Sequence, residues 1–246
     1  MKRSLYLLTL LTALSCDKPA PDTVAPEYPD WYVLKSPIDK EIQGVWGDID
    51  KTLLISTMDK VFRSADRGQS WQQVHEQSNA IFGFVQYNDT LFTMNGQVTV
   101  STNPIGQYLV NADKYSTDDG QTWKPYKPYG PPFDMTSSNT PTWRFPTNTV
   151  RGSNGTSYTI NRVFAAGLSA TTGAFETPGV ITSTGRRIDL PQLHQLNSLY
   201  LDGRERLYIS GTDAVCGRGA PYGQDFSFCN SKNGRGVVYV SKKPLP

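Results

Sequence analysis

The chain has 246 residues, of which 37% are hydrophobic and 11% aromatic, with 24 Lys and Arg against 22 Asp and Glu. A net charge of +2 excludes nonspecific nucleic-acid binding, which needs a basic surface to displace counterions, and the aromatic content excludes a disordered chain. The 21 Gly and 17 Pro indicate many turns, and the length suffices for a substantial core, as one domain or two small ones.

Residues 1–16 read MKRSLYLLTLLTALSC. Lys2 and Arg3 form a positive start, and Ser4 to Leu14 is an apolar run of eleven residues. A membrane-crossing helix needs about 20 apolar residues, so the run fits the core of an export signal instead. It ends in Ala13-Leu14-Ser15-Cys16. A small residue directly before a cysteine resembles the lipobox of bacterial lipoproteins, although Ala13 stands where leucine is commoner. That resemblance implies cleavage before Cys16, a lipid on the new N-terminus and a membrane partner in the bacterial cell envelope. The alternative is an ordinary secretory signal with an incidental cysteine. Cleavage removes Lys2 and Arg3 and leaves 22 basic and 22 acidic residues, so acyl chains rather than net charge would hold the protein on a membrane.

Residues 17–30 follow as a tether, with Pro19, Pro21, Pro26 and Pro29. Proline fixes φ and removes a donor, which favours an extended, semi-rigid spacer. The remaining residues, 31–246, carry the folded domain.

Along that domain the signals are those of short strands and tight turns. Leu53-Leu54-Ile55-Ser56 predicts an inner strand, and Val61-Phe62-Arg63-Ser64 a second one. Next come the octapeptide Ser64-Ala65-Asp66-Arg67-Gly68-Gln69-Ser70-Trp71 and, 52 residues on, Ser116-Thr117-Asp118-Asp119-Gly120-Gln121-Thr122-Trp123. Both fit S-x-D-x-G-Q-[ST]-W. The aspartate can accept turn N–H groups, the glycine supplies a positive φ, and the tryptophan offers a large apolar face to a neighbouring sheet. Between the copies, Ile81–Tyr87 and Thr90–Met94 flank an Asn88-Asp89 turn. The stretch Lys124–Phe133 is proline-rich and predicts an irregular packed loop or a binding surface, with Tyr126 and Tyr129 as exposed aromatics. Further strands are predicted at Tyr158–Phe164, at Leu199–Leu201 and Leu207–Ser210 around Asp202-Gly203, and at Val237–Ser241. The last strand ends where a third octapeptide would begin, but Lys242–Pro246 lacks its Asp, Gly and Trp.

Four units are visible, centred near residues 45–75, 80–125, 140–190 and 195–241. A fifth can be assembled from Trp31–Leu34 and 97–112. A repeat near 50 residues suits a propeller blade, and no long amphipathic helical run appears, so the class is all-β.

The two octapeptides resemble Asp-boxes, also called BNR repeats, found in sialidase-type, sortilin-like and photosystem II assembly-factor-like propellers. The resemblance implies a β-propeller of four-stranded antiparallel blades, four to six in number. It also implies structural roles at the blade periphery for Ser64, Asp66, Gly68, Trp71, Ser116, Asp118, Gly120 and Trp123.

Cys216 and Cys229 remain after Cys16 and enclose the Gly-containing stretch GRGAPYGQDFSF. In an exported chain an even remainder predicts one disulfide, which would contribute about 3 kcal/mol by closing the loop. No histidine lies near enough to suggest a metal there, and no cofactor motif is present.

Chemistry is sparsely signalled. G-x-S-x-G, H-E-x-x-H and the Walker loop are absent, and His75 and His194 stand isolated. A sialidase-like glycosidase would need clustered arginines, a Tyr with an acid partner and an Asp acid/base. Asp48, Asp50 and Glu176 are available acids, but nothing in the sequence pairs them. Trp143-Arg144-Phe145-Pro146 echoes that family's N-terminal motif in the wrong order, after both octapeptides. The preferred expectation is a noncatalytic module whose ligand is a glycan or a protein. A sialidase-like hydrolase and a structural envelope scaffold are the alternatives.

Overall fold

Short runs of β-branched, aromatic and leucine residues build antiparallel strands throughout, and no helix occurs among the described residues. The structure is a computed structural model that describes residues 28–100, 103–127, 144–164, 166–167, 170–171, 173, 175–212 and 235–245. Cys16, Cys216 and Cys229, the tether up to residue 27, Tyr129 and Trp143 lie outside the described residues.

In chain order, β1 is Trp31–Lys35, β2 Gly44–Gly47, β3 Leu53–Ser56, β4 Lys60–Ser64 and β5 Gln72–Glu76. Next come β6 Gly83–Tyr87, β7 Thr90–Val100, β8 Asn103–Ser116, β9 Lys124–Pro125 and β10 Phe145–Pro146. The last are β11 Thr149–Arg151, β12 Ser157–Phe164, β13 Phe175–Thr182, β14 Arg187–His194, β15 Leu196–Leu201, β16 Leu207–Thr212 and β17 Gly236–Ser241.

They form four antiparallel sheets, the blades of a β-propeller. Blade one is β2-β3-β4-β5, and blade three is β11-β12-β13-β14. Blade two runs β6-β7-β8, and its outer edge is shared by β9 and β10, which pair with different stretches of β8. Blade four is β15-β16-β17 with β1 as its outermost strand. Among the described residues the first strand thus pairs with the last, Trp31 to Ser241 through Lys35 to Val237, and closes the ring.

Two expectations are corrected here. Trp31–Leu34 belongs to the outer strand of blade four, and 97–112 extends the β7–β8 hairpin of blade two, so neither forms a fifth unit. Leu53–Ser56 is the second strand of its blade, since Gly44–Gly47 lies inside it. The reason is packing. Middle strands are covered on both faces by neighbouring blades and read as continuous apolar runs. Every residue of β3, β16 and β17 is buried, whereas β5, at an outer edge, exposes Gln72, Gln73 and Glu76 and half-buries Val74 and His75.

The cores lie between blades. Leu53, Ile55 and Phe62 of blade one meet Tyr208, Val238 and Val240 of blade four. Tyr158, Ile160 and Val180 of blade three meet Leu207, Ile209 and Tyr239 of blade four. Leu54 and Val61 of blade one meet Leu91 of blade two. Near the axis the inner strands touch backbone to backbone. A Cβ on Gly44 would lie 2.5 Å from Gly83 Cα, so glycine is required there.

Candidate functional site

Within each blade the first-to-second and third-to-fourth strand connections lie at one end, because the strands alternate in direction. Both octapeptides are third-to-fourth connections, joining β4 to β5 and β8 to β9.

The hydrogen bonds among their serine, aspartate, glycine and Ser70 or Thr122 match one for one. Ser64 Oγ donates to Asp66 Oδ1 at 2.8 Å and accepts from the Gly68 N–H at 2.8 Å. Ser116 Oγ does the same with Asp118 (2.7 Å) and Gly120 (2.9 Å). Asp66 Oδ1 accepts the Ser70 N–H, and Asp118 Oδ1 the Thr122 N–H, each at 2.9 Å. The Ser70 and Thr122 hydroxyls donate to the second carboxylate oxygen. Donation from Ser70 and then Ser64 holds the Asp66 carboxyl down at about 2, and Thr122 and Ser116 do the same for Asp118. Arg67 and Gly68 have φ of 63° and 78°, and Asp119 and Gly120 of 54° and 74°. A Cβ on Gly120 would sit 2.4 Å from Leu54 Cδ1. Each corner therefore abuts the preceding blade. Trp71 packs into the blade four–blade one core, and Trp123 into the blade one–blade two core, where its Nε1 donates to Gly120 O at 3.1 Å.

The inner turns at the same end carry a charged knot that sequence reading missed. Arg206, 6% exposed, donates to Asp202 Oδ2 and Asp50 Oδ2, both at 2.7 Å, and also to Asp48. Arg67 and Arg204 bind the same Asp50 at 2.6 and 2.8 Å. Tyr208 Oη donates to Asp202 Oδ2 and accepts from the Ile49 N–H, both at 2.9 Å. Hydrogen bonding by Arg206 is the main cause holding Asp50 below the usual carboxylate range. Burial disfavours the Arg206 charge, but Asp202 and Asp50 outweigh it and raise its pKa. Burial is also the first cause that pushes Tyr208 up, and it pushes Tyr200 up to about 12. Three arginines do converge, but each is bound to the protein's own carboxylates, tying blade four to blade one.

Other candidates are dispersed. His75 lies on β5, its Nε2 3.0 Å from Gln77 Oε1. His194 and Glu176 belong to β14 and β13 of blade three. No group of three His, Cys, Asp or Glu side chains suited to a metal occurs among the described residues. Arg144, Phe145 and Pro146 lead into and form β10, away from the octapeptide corners.

A concave feature lined by several aromatic rings is on blade two. Thr90, Phe92, Tyr115, Pro125, Tyr126 and Lys127 surround an open cleft of about 440 Å³. Val85, Phe92 and Tyr115 are cross-strand neighbours on one face, while Leu91 faces blade one. The cleft therefore opens on the side turned away from blade one, towards blade three. Tyr126, expected to be exposed, is half-buried and stands edge-on to Phe92, ring centroids 5.2 Å apart. Trp31, Trp71 and Trp123 each plug a different interblade core, whereas the Phe92 cluster contains no tryptophan among the described residues. Blade three turns its corner through Ser183-Thr184-Gly185-Arg186 and supplies no indole there.

The fold and corners define a four-bladed β-propeller. No protein-family model matches the chain, and no curated protein matches it. Among solved structures it is similar to YCF48 bound to D1 peptide, with 14% identity over 87% of this chain and 73% of that one, at a TM-score of 0.28. It is also similar to virginiamycin B lyase from Staphylococcus aureus, with 11% identity over 73% of this chain and 66% of that one, at a TM-score of 0.27.

Proposed function

We propose that this chain is a lipid-anchored cell-envelope propeller of the Asp-box type that works as a noncatalytic binding module for a protein or glycan ligand. The observation that carries the binding reading is the aromatic cleft of Phe92, Tyr115, Pro125 and Tyr126. Aromatic rings and a proline offer apolar area at little entropic cost, and Lys127 and Thr90 at the cleft supply polar contacts. The matched networks of Ser64–Trp71 and Ser116–Trp123 support the Asp-box reading. Residues 1–16 and the proline-rich tether support export and anchoring through Cys16, and an exported chain supports a Cys216–Cys229 bridge.

The test is binding of the purified chain to arrays of glycans and of peptides, repeated with Tyr126→Ala and Tyr115→Ala. A ligand whose binding both variants weaken upholds the reading. A ligand indifferent to both variants moves the site elsewhere, and hydrolysis of a fluorogenic sialoside replaces the module with an enzyme. Incorporation of labelled fatty acid into the full chain, lost in Cys16→Ser, tests the anchor.

A further inference from the structure

Two of the four outer corners of the propeller are basic. In blades one and two the residue two places after the corner serine is an aspartate, Asp66 or Asp118. In blade four the corner serine is Ser241, and two places on stands Lys243, preceded by Lys242. The corner of blade three ends in Arg186-Arg187. The basic corners of blades three and four are adjacent around the ring, whereas the blade one corner sets Arg67 beside Asp66 and the blade two corner carries Asp118 and Asp119. A balance of charge over the whole chain hides this basic pair.

Between the basic corners lies a cavity of about 550 Å³ lined by Arg186, Lys242 and Lys243, with Asp30 and Asp189 on the same wall. Asp189 is taken by Arg187 at 3.0 Å, and Lys242 Nζ donates to Pro29 O at 2.6 Å. Arg186 and Lys243 are exposed and form no ion pair among the described residues. By contrast Arg67, Arg204 and Arg206 are all bound to aspartates. The N-terminal segment arrives at this same corner: Tyr28 stacks on Tyr239 at 5.0 Å, and Pro29, Asp30 and Trp31 line the cavity.

We propose that this basic pair of corners is a membrane-docking surface, with the phosphates of anionic lipid headgroups seated at Arg186, Lys242 and Lys243. This rests on the anchoring reading. The residues from Cys16 to Pro29 span at most ~45 Å when extended, which keeps the corner near the bilayer. Anchoring makes a weak second contact effectively intramolecular. Each basic residue at an anionic surface then favours contact about fivefold, and salt screens it. The propeller leans on blades three and four, and the Asp66 and Asp118 corners tilt away.

The full lipidated chain is reconstituted in phosphatidylcholine vesicles with and without phosphatidylglycerol, and amide hydrogen exchange is followed at 183–187 and 242–245. Exchange slows with phosphatidylglycerol, recovers in high salt, and recovers by about fivefold for each of Arg186→Gln and Lys243→Gln. Equal exchange in both vesicles overturns docking. Equal slowing by inorganic phosphate without vesicles also overturns it, assigning the corner to a soluble anion. A chain that floats with neither vesicle overturns the anchor, and the docking that rests on it falls with it.

Discussion

Trp31, the first residue of β1, is the register partner of Ser241, the last residue of β17. Arg63 pairs with Gln72 and Tyr115 with Lys124, so Ser64 faces Trp71 and Ser116 faces Trp123 one step further on. The two ends of the chain thus build a third serine–tryptophan corner, split between residue 241 and residue 31.

Because β1 is held by five residue pairs and by Trp31, 7% exposed, the closure depends on this indole. Trp31→Ala is expected to lose about 3 kcal/mol or more, as for other large buried aromatics. Denaturant midpoints measure the loss, and faster hydrogen exchange along Val237–Ser241 locates it at the seam.

The corner glycines separate strain from crowding. Gly120→Ala combines a φ of 74° with a methyl 2.4 Å from Leu54 Cδ1, and should cost about 2–4 kcal/mol. Gly185→Ala has φ of 84° but nothing within 4 Å, and should cost only about 1 kcal/mol. Equal costs in thermal melts would remove the packing role of the Gly120 corner.

The Arg206 knot should be expensive to break and cheap to replace. Arg206→Met leaves the buried Asp202 carboxylate uncompensated and should cost about 3–5 kcal/mol. Adding Asp202→Asn should recover part of that loss, a coupling read from a double-mutant cycle. Arg206→Lys should not restore stability, because an ammonium cannot reach three carboxylates as the guanidinium fork does.

Acid should act through the two corner aspartates. Their folded pKa, about 2, lies below the 3.8 of the unconstrained group, so the unfolded chain binds more protons between those values. The stability they contribute is complete above pH 3.8 and is lost as pH falls through about 2. Asp118→Asn should flatten the acid limb of the denaturation midpoint against pH, while Asp119→Asn, whose side chain accepts none of the corner bonds, should leave it steep.

The octapeptide corners were legible in the sequence because everything they need lies within eight residues: a hydroxyl, a carboxylate, a positive φ and an indole. The Asn88-Asp89 hairpin was legible for the same reason, both residues having positive φ. Leu53–Ser56 misled as an inner strand, since an apolar run reports burial on both faces and not distance from the axis. Tyr126 misled because Phe92, which half-covers it, is 34 positions earlier in the chain.

By itself the sequence determined local things: the repeated corners, and alternating strands with tight turns. Each follows from steric and hydrogen-bonding preferences between near neighbours. Only closure of the ring decided the rest. It set Ser241 against Trp31, gathered Asp48, Asp50, Asp202 and Arg206 into one knot, and brought Arg186 to the same cavity as Lys242 and Lys243. These are encounters between segments far apart in the chain, and the packing of whole blades, not any local preference, brings them together.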